Sequence, residues 1–186
     1  MHVTQAIEQR RSIKRFTSRP VSRSEIETLL AAATLGPNHR LTQPWHFYVL
    51  GPEARYAYGL ALGERKARKL DDTDAAQAMR QTVAAEHRSL PCMIAVAVTL
   101  NDNPEIREED YAAAMMGLEN LALAALAMGL GTAIRTGGVM SDPAARAAAT
   151  VRDDERIIAI VNVGEPAEIP AAKKRDSAVT RTVWVP

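Results

Sequence analysis

Apolar and polar positions change rhythm along the chain often enough to outline its elements. Ile26, Leu29, Leu30 and Ala33 recur at helical spacing, and Ser22 with Glu25 three residues on forms a capping box. Ser22–Leu35 therefore reads as a helix, stopped by Gly36-Pro37. Upstream, Thr4–Arg11 reads as a shorter helix with Thr4 as its N-cap, and Arg10 and Arg11 lie near the end where the dipole favours cations. His46–Leu50 is aromatic and branched, as a strand would be. Pro52–Leu70 and Asp74–Ser89 read as two polar helices divided by an acidic turn. Cys92–Leu100 is a continuous apolar run that reads as a buried strand. Glu108–Leu130 is the longest predicted helix, crowded with Ala, Met and Gly, whose small side chains admit close approach within a core or across a subunit interface. Ala133–Thr136 reads as a short strand, and Ser141-Asp142-Pro143 opens another helix with Pro near its first turn. Arg156–Val163 is a strand ended by Gly164-Glu165-Pro166, and the tail from Pro170 to Pro186 closes on a strand-like Val183-Trp184-Val185. Helices and strands follow one another without regular βαβ repetition, repeat or low-complexity linker, so residues 1–186 read as one α+β domain.

Composition narrows the function classes. With 186 residues, 47% hydrophobic and 24% charged, the chain suits a globular domain with a sizeable core. A formal charge of +1 speaks against a nucleic-acid partner gripped over a broad basic surface. The charge is uneven, because residues 1–40 hold seven Lys/Arg against three Glu. That local excess suits one small anionic ligand. Cys92 is the single cysteine, so no intramolecular disulfide can form, which fits a reducing cytoplasm. It opens an apolar run and reads as a buried small side chain, not a nucleophile. No signal-peptide core opens the chain, and Glu119, Asn120 and several glycines make Tyr111–Ile134 a core helix, not a membrane span. His2, His39, His46 and His87 are scattered without ligand spacing, so no metal site is expected.

Three segments carry candidate chemistry. Arg10-Arg11-Ser12-Ile13-Lys14-Arg15-Phe16 clusters cations around a hydroxyl, the donor set a phosphate requires. In an extended segment Ser12 and Lys14 point to one side. A solvated basic helix end is the plain alternative. Pro37-Asn38-His39-Arg40-Leu41-Thr42-Gln43-Pro44-Trp45 is a stiff polar turn running into a strand. His39 and Gln43 offer donors and acceptors for a planar ligand, although an ordinary helix-to-strand connection would use the same residues. Gly129-Leu130-Gly131-Thr132-Ala133-Ile134-Arg135-Thr136-Gly137-Gly138 allows close approach of backbone to a ligand. It is neither a P-loop nor a dinucleotide fingerprint, because the flanking residues and spacing differ. A fourth run, Lys173-Lys174-Arg175, reads as a solvated surface stretch or a further phosphate contact.

Taken in order, these segments resemble the FMN-dependent nitroreductase family, whose members open with R-R-S-x-[RK]-x-F. The second segment is similar to the compact bacterial NAD(P)H nitroreductase subfamily, which has P-[DN]-H-[KR]-x-x-Q-P-W-H-F, and the third resembles the family's G-[LF]-G-[TG]-x-[WI]-x-[ST]-G. The resemblance implies a three-layer sandwich, a central, mainly antiparallel sheet flanked by helices, in an intertwined homodimer with its FMN sites at the subunit interface. It implies tightly bound, non-covalent FMN and NAD(P)H as co-substrate, with ping-pong hydride transfer through flavin N5 to a nitroaromatic, quinone or similar acceptor. Arg10, Arg11, Ser12 and Lys14 are the implied contacts to the phosphate and polar ring edge. Leu35, Pro37, Asn38, His39 and Gln43 are the implied contribution of the other subunit, and Ile134, Arg135 and Thr136 line one ring face. Lys14 and Arg135 are the implied electrostatic tuners; no side chain is a catalytic acid or base. One departure is visible: the family's usual Asn two positions before the Gln is Leu41 here. Other readings are a same-fold flavoenzyme for dehalogenation, ene reduction or flavin fragmentation, a flavin carrier or sensor without turnover, and a helical interaction protein without a ligand.

Overall fold

The computed structural model describes all 186 residues. Helices α1 (Val3–Gln9) and α2 (Arg23–Ala33) precede strand β1 (Trp45–Val49). A helical hairpin follows, α3 (Pro52–Ala67) and α4 (Thr73–Arg88), then β2 (Cys92–Thr99) and the long helix α5 (Pro104–Ala127). Strand β3 (Gly131–Arg135), helix α6 (Pro143–Ala148) and β4 (Glu155–Gly164) complete the fold, with 3-10 turns at Gly138–Ser141 and Ala178–Arg181. The four strands form one sheet in the order β1-β2-β4-β3, every pairing antiparallel.

Period-two alternation divides the core into two layers. From β2, Cys92, Ile94, Val96 and Val98 face a cluster with Leu118 and Leu121 of α5 and Leu29 of α2. Met93 and Ala95 face the opposite cluster, with Tyr58 and Ala61 of α3 and Ala145 of α6. A bulge after Val96 inserts one extra residue in β4, which is why Ile158 and Ala159 both reach the α5 side. The outcome is the expected α+β sandwich with a central antiparallel sheet. No helix is long and apolar enough to cross a membrane.

Helix ends differ from expectation in instructive ways. The Ser22–Glu25 capping box forms as read. At α1 the N-cap is His2, without a side-chain cap bond, in place of Thr4. Helix α5 starts one turn before Glu108, because Asn103 caps it from Glu105 N and Pro104 occupies the first turn. The tail residues Val183 to Val185 form no strand on their own chain; Trp184 is 91% exposed. A strand needs a neighbour's backbone, and this segment pairs with none of the chain's own strands.

Two close backbone approaches fix where α2 and the α3–α4 hairpin lie. A Cβ on Gly36 would meet the backbone of Gly117 at 2.8 Å, seating the end of α2 on α5. A Cβ on Gly59 would meet Ala84 Cα at 2.7 Å, and one on Gly63 would meet Arg80 Cα at 2.9 Å, so α3 and α4 pack almost backbone to backbone.

Candidate functional site

The first and third motifs meet. Ser12 bridges Thr132 in parallel, and Ile13 N donates to Thr132 O at 2.8 Å. The chain then runs beside the end of β4, where Ala167 N donates to Arg15 O and Phe16 bridges Pro166. Ile13 is buried at 3% exposure, over a Gly131 whose missing side chain leaves it room. Its neighbours Ser12 and Lys14 are thereby turned outward and exposed. Burial of one isoleucine thus aims the hydroxyl and the ammonium.

The cations around it are not equivalent. Arg10 Nε pairs with Glu119 of α5 at 3.0 Å, so this arginine partly anchors the segment. Arg11 Nη1 donates to the carbonyls of Glu8 and Arg10, which leaves Nε and Nη2 without a protein acceptor. Arg10, Arg11 and Ile13, with Ala122, Leu126 and Thr132, border a cavity of about 310 Å³. Lys14 has no acidic partner and borders a smaller recess of about 180 Å³ with Arg15, Glu168 and Pro170. Lys173, Lys174 and Arg175 are exposed and make no side-chain bond.

Past β3 the backbone is bare. Gly137 has φ of 152°, and a Cβ there would meet nothing within 4 Å. Ile134 packs toward the α5 layer, whereas Arg135 and Thr136 are exposed. The charge of Arg135 is felt by two side chains of the α3–α4 hairpin. Tyr58 is pushed up to about 12 by burial, against which the Arg135 charge acts. The His87 imidazole is held below its ordinary value by burial first and then by Arg135 and Lys66. Arg65 of α3 comes over the same segment, its Nη2 2.7 Å from where a Gly138 Cβ would be, with no acidic partner. No sequence signal marked Arg65, which is 73 residues from Gly138; only the hairpin's packing brings it there. Exposed donors, unpaired cations and an uncovered glycine backbone fit a phosphate-bearing planar cofactor.

The second motif lies elsewhere on the same chain. Thr42 Oγ1 donates to the buried Asp110 carboxylate, His39 Nδ1 lies 3.0 Å from Glu109, and Arg40 Nε donates to Glu109 at 2.8 Å. These partners occupy the first half of α5. Glu109 is held below the usual carboxylate range by its hydrogen bonds with His39 and Arg40. The Asn38 amide is spent inside the loop, accepting from Gln43 N at 2.7 Å and donating to Thr42, so Asn38 staples the turn and does not reach outward. Leu35, His39, Leu41 and Gln43 are exposed, and Pro37 stiffens the entry. Arg10 pairs with Glu119 and His39 with Glu109, ten residues apart on one helix. That separation is about 15 Å of helical rise. One chain's loop 37–43 therefore lies well away from its own Ser12 and Lys14.

Known proteins share this fold and sequence. The model of the Nitroreductase family matches residues 7–165. The Bacillus subtilis (strain 168) protein named "Putative NAD(P)H nitroreductase YfhC" is 31% identical over 172 residues, covering 91% of this chain and 87% of its own. Among solved structures, a nitroreductase-like family protein from Bacillus cereus superposes with a TM-score of 0.85 at 25% identity, covering 100% of this chain and 96% of that one. A structure described as "a putative nitroreductase in complex with FMN", from Desulfovibrio desulfuricans, superposes with a TM-score of 0.73 at 25% identity, covering 99% and 96%. The docked Arg10–Lys14 segment and the bare backbone after β3 both fall within the matched residues, and the chain belongs to the nitroreductase family.

Proposed function

We propose that this chain is an FMN-dependent NAD(P)H oxidoreductase, one FMN-binding domain per protomer, that passes two electrons as hydride to a nitroaromatic, quinone or similar acceptor. The observation that carries this is the docking of Ser12 against Thr132, which brings outward-facing Ser12 and Lys14 onto the strand that leads to the exposed backbone at Gly137. The relative solved with FMN and the relative named for NAD(P)H support it. When bound, FMN supplies the hydride relay between nicotinamide and acceptor.

The protein's part is to bind, orient and set charge. Ser12 and the free nitrogens of Arg11 hold the phosphate end. The backbone from Ile134 through Arg135 and Thr136 presents one wall of the ring site, with Gly137 giving backbone access. Lys14 is the tuning cation, stabilising negative charge that develops on the cofactor. Arg65 joins it, and Arg135 contributes from the hairpin side. No side chain here is positioned as an acid or base, and protons come from solvent.

The site is built from two chains. The 15 Å offset along α5 leaves Leu35, Pro37, His39 and Gln43 to complete the site of a second copy. The exposed stripe Ala112, Met116 and Ala127 on α5, and the uncovered Val183-Trp184-Val185, are apolar surfaces that a homodimer would bury. A cytoplasmic setting suits the single free thiol and the nucleotide supply. NAD(P)H and the acceptor use one face in turn, so turnover is ping-pong. The test is an absorbance spectrum before and after anaerobic NADPH or NADH. Flavin bands should bleach with either nucleotide and return on adding a quinone. A colourless protein that takes up no supplied FMN overturns the reading.

A further inference from the structure

Two residues of the 37–44 loop hold a left-handed backbone without being glycine: Leu41 at φ 49° and Gln43 at φ 48°. That region is disfavoured for a branched apolar side chain such as leucine, whose Cβ crowds the following carbonyl. Strain of this kind persists only where the surroundings over-determine it, and it concentrates at ligand-contacting sites. Here the surroundings do over-determine it. Asn38 binds Gln43 N and Thr42, Leu41 N donates to Asn38 O, and Thr42 reaches inward to buried Asp110. His39 and Arg40 tie the loop to Glu109 from the other side.

The effect of this bracing is to expose an apolar side chain. Leu41 is 76% exposed, and Leu35, before the loop, is 79% exposed. Between them stand polar His39 and Arg40. Nothing on its own chain covers Leu41, although the loop forgoes a relaxed backbone to hold it out. A flavin's polar edge asks for donors and acceptors, which His39 and Gln43 supply and Leu41 cannot. The apolar stripe on α5 is formed by small residues and Met116 and carries no strained backbone. What remains for a rigidly held leucine is a ligand that changes from turnover to turnover.

We propose that Leu41 is a specificity-determining residue: it reaches from one protomer to the electron acceptor bound over the cofactor of a second copy, and favours apolar acceptors over anionic ones. This rests on the two-chain flavin site proposed above. Asn is the informative replacement because it adopts the left-handed region readily and offers a polar group in similar space. The experiment compares kcat/KM for 4-nitrotoluene and 4-nitrobenzoate in wild type, L41N and L41M, on FMN-loaded protein. The L41N ratio of the two should fall about five- to tenfold, as expected when part of a leucine's apolar contact is lost. L41M should stay within about twofold. Flavin content and the elution volume on size exclusion should match wild type. An unchanged ratio in L41N overturns the proposal, as does a variant that elutes as monomer, which would make Leu41 an interface residue. A wild-type protein whose flavin NADPH does not reduce would instead sink the underlying reading, before any variant is compared.

Discussion

Replacing Gly131 by Ala tests how the first and third motifs are held together. A Cβ at this position would meet Ile13 Cβ at 3.1 Å and Pro166 Cγ at 3.0 Å, with Ile13 Cγ1 closer still. Ile13 is 3% exposed, so it has little free space to move into. Overpacking of this kind costs about 1–3 kcal/mol. Removing glycine from a strand returns about 0.5–1 kcal/mol, which leaves a net loss of up to about 2.5 kcal/mol for Gly131→Ala. Ile13→Ala alone should cost about 2–5 kcal/mol through its cavity. In the double variant the new methyl occupies part of that cavity, so the two losses should fall short of their sum by about 1–2 kcal/mol. Ser12 and Lys14 flank Ile13, so Gly131→Ala should also weaken FMN binding, by about tenfold if one phosphate contact worth ~1.4 kcal/mol is lost. Urea unfolding at one fixed protomer concentration measures the stabilities, and quenching of FMN fluorescence measures the affinity. Losses that add within about 0.5 kcal/mol, or destabilisation with unchanged FMN affinity, would refute the claim that Ile13 on Gly131 positions the phosphate-binding residues.

Thr42→Val removes the hydroxyl that donates to buried Asp110 and should destabilise by about 1–3 kcal/mol, with faster hydrogen exchange confined to residues 38–43. Glu109 has its folded pKa lowered, first by the hydrogen bond with His39 and then by Arg40. Its contribution is therefore complete above the unfolded value and is lost as pH falls through the folded one. Loop exchange in residues 38–43 should rise as pH drops below the ordinary glutamate range, and Glu109→Gln should remove that dependence. Burial pushes the Cys92 thiol up to about 11, so a chromogenic disulfide reagent at pH 8 should label it only after unfolding. Rapid labelling of the native protein would show that the first residue of β2 opens to solvent in the folded state.

Much of the fold was legible locally. The Ser22–Glu25 capping box placed α2, and the unbroken apolar run from Cys92 placed the central strand, because both signals span few residues. The start of α5 was misread because its first turn is polar and carries no apolar repeat, although Asn103-Pro104 was a usable sign. Asn38 shows the limit for the site. Its residue type suggested a turn and a ligand contact equally, and only the folded loop shows the amide consumed by Gln43 and Thr42. Nothing local marks Arg65 as a neighbour of Gly138, since that contact depends on how α3 packs against the turn at Gly138–Ser141. By itself the sequence determined the elements, the apolar faces and the chemical types offered at each motif, because periodicity, capping and turn preference act over a few residues. The tertiary structure decided which of those groups meet: that Ile13 on Gly131 turns Ser12 and Lys14 outward, and that ten residues of α5 separate them from the 37–43 loop. Those outcomes are set by packing between segments far apart in the chain, where no short-range preference reaches.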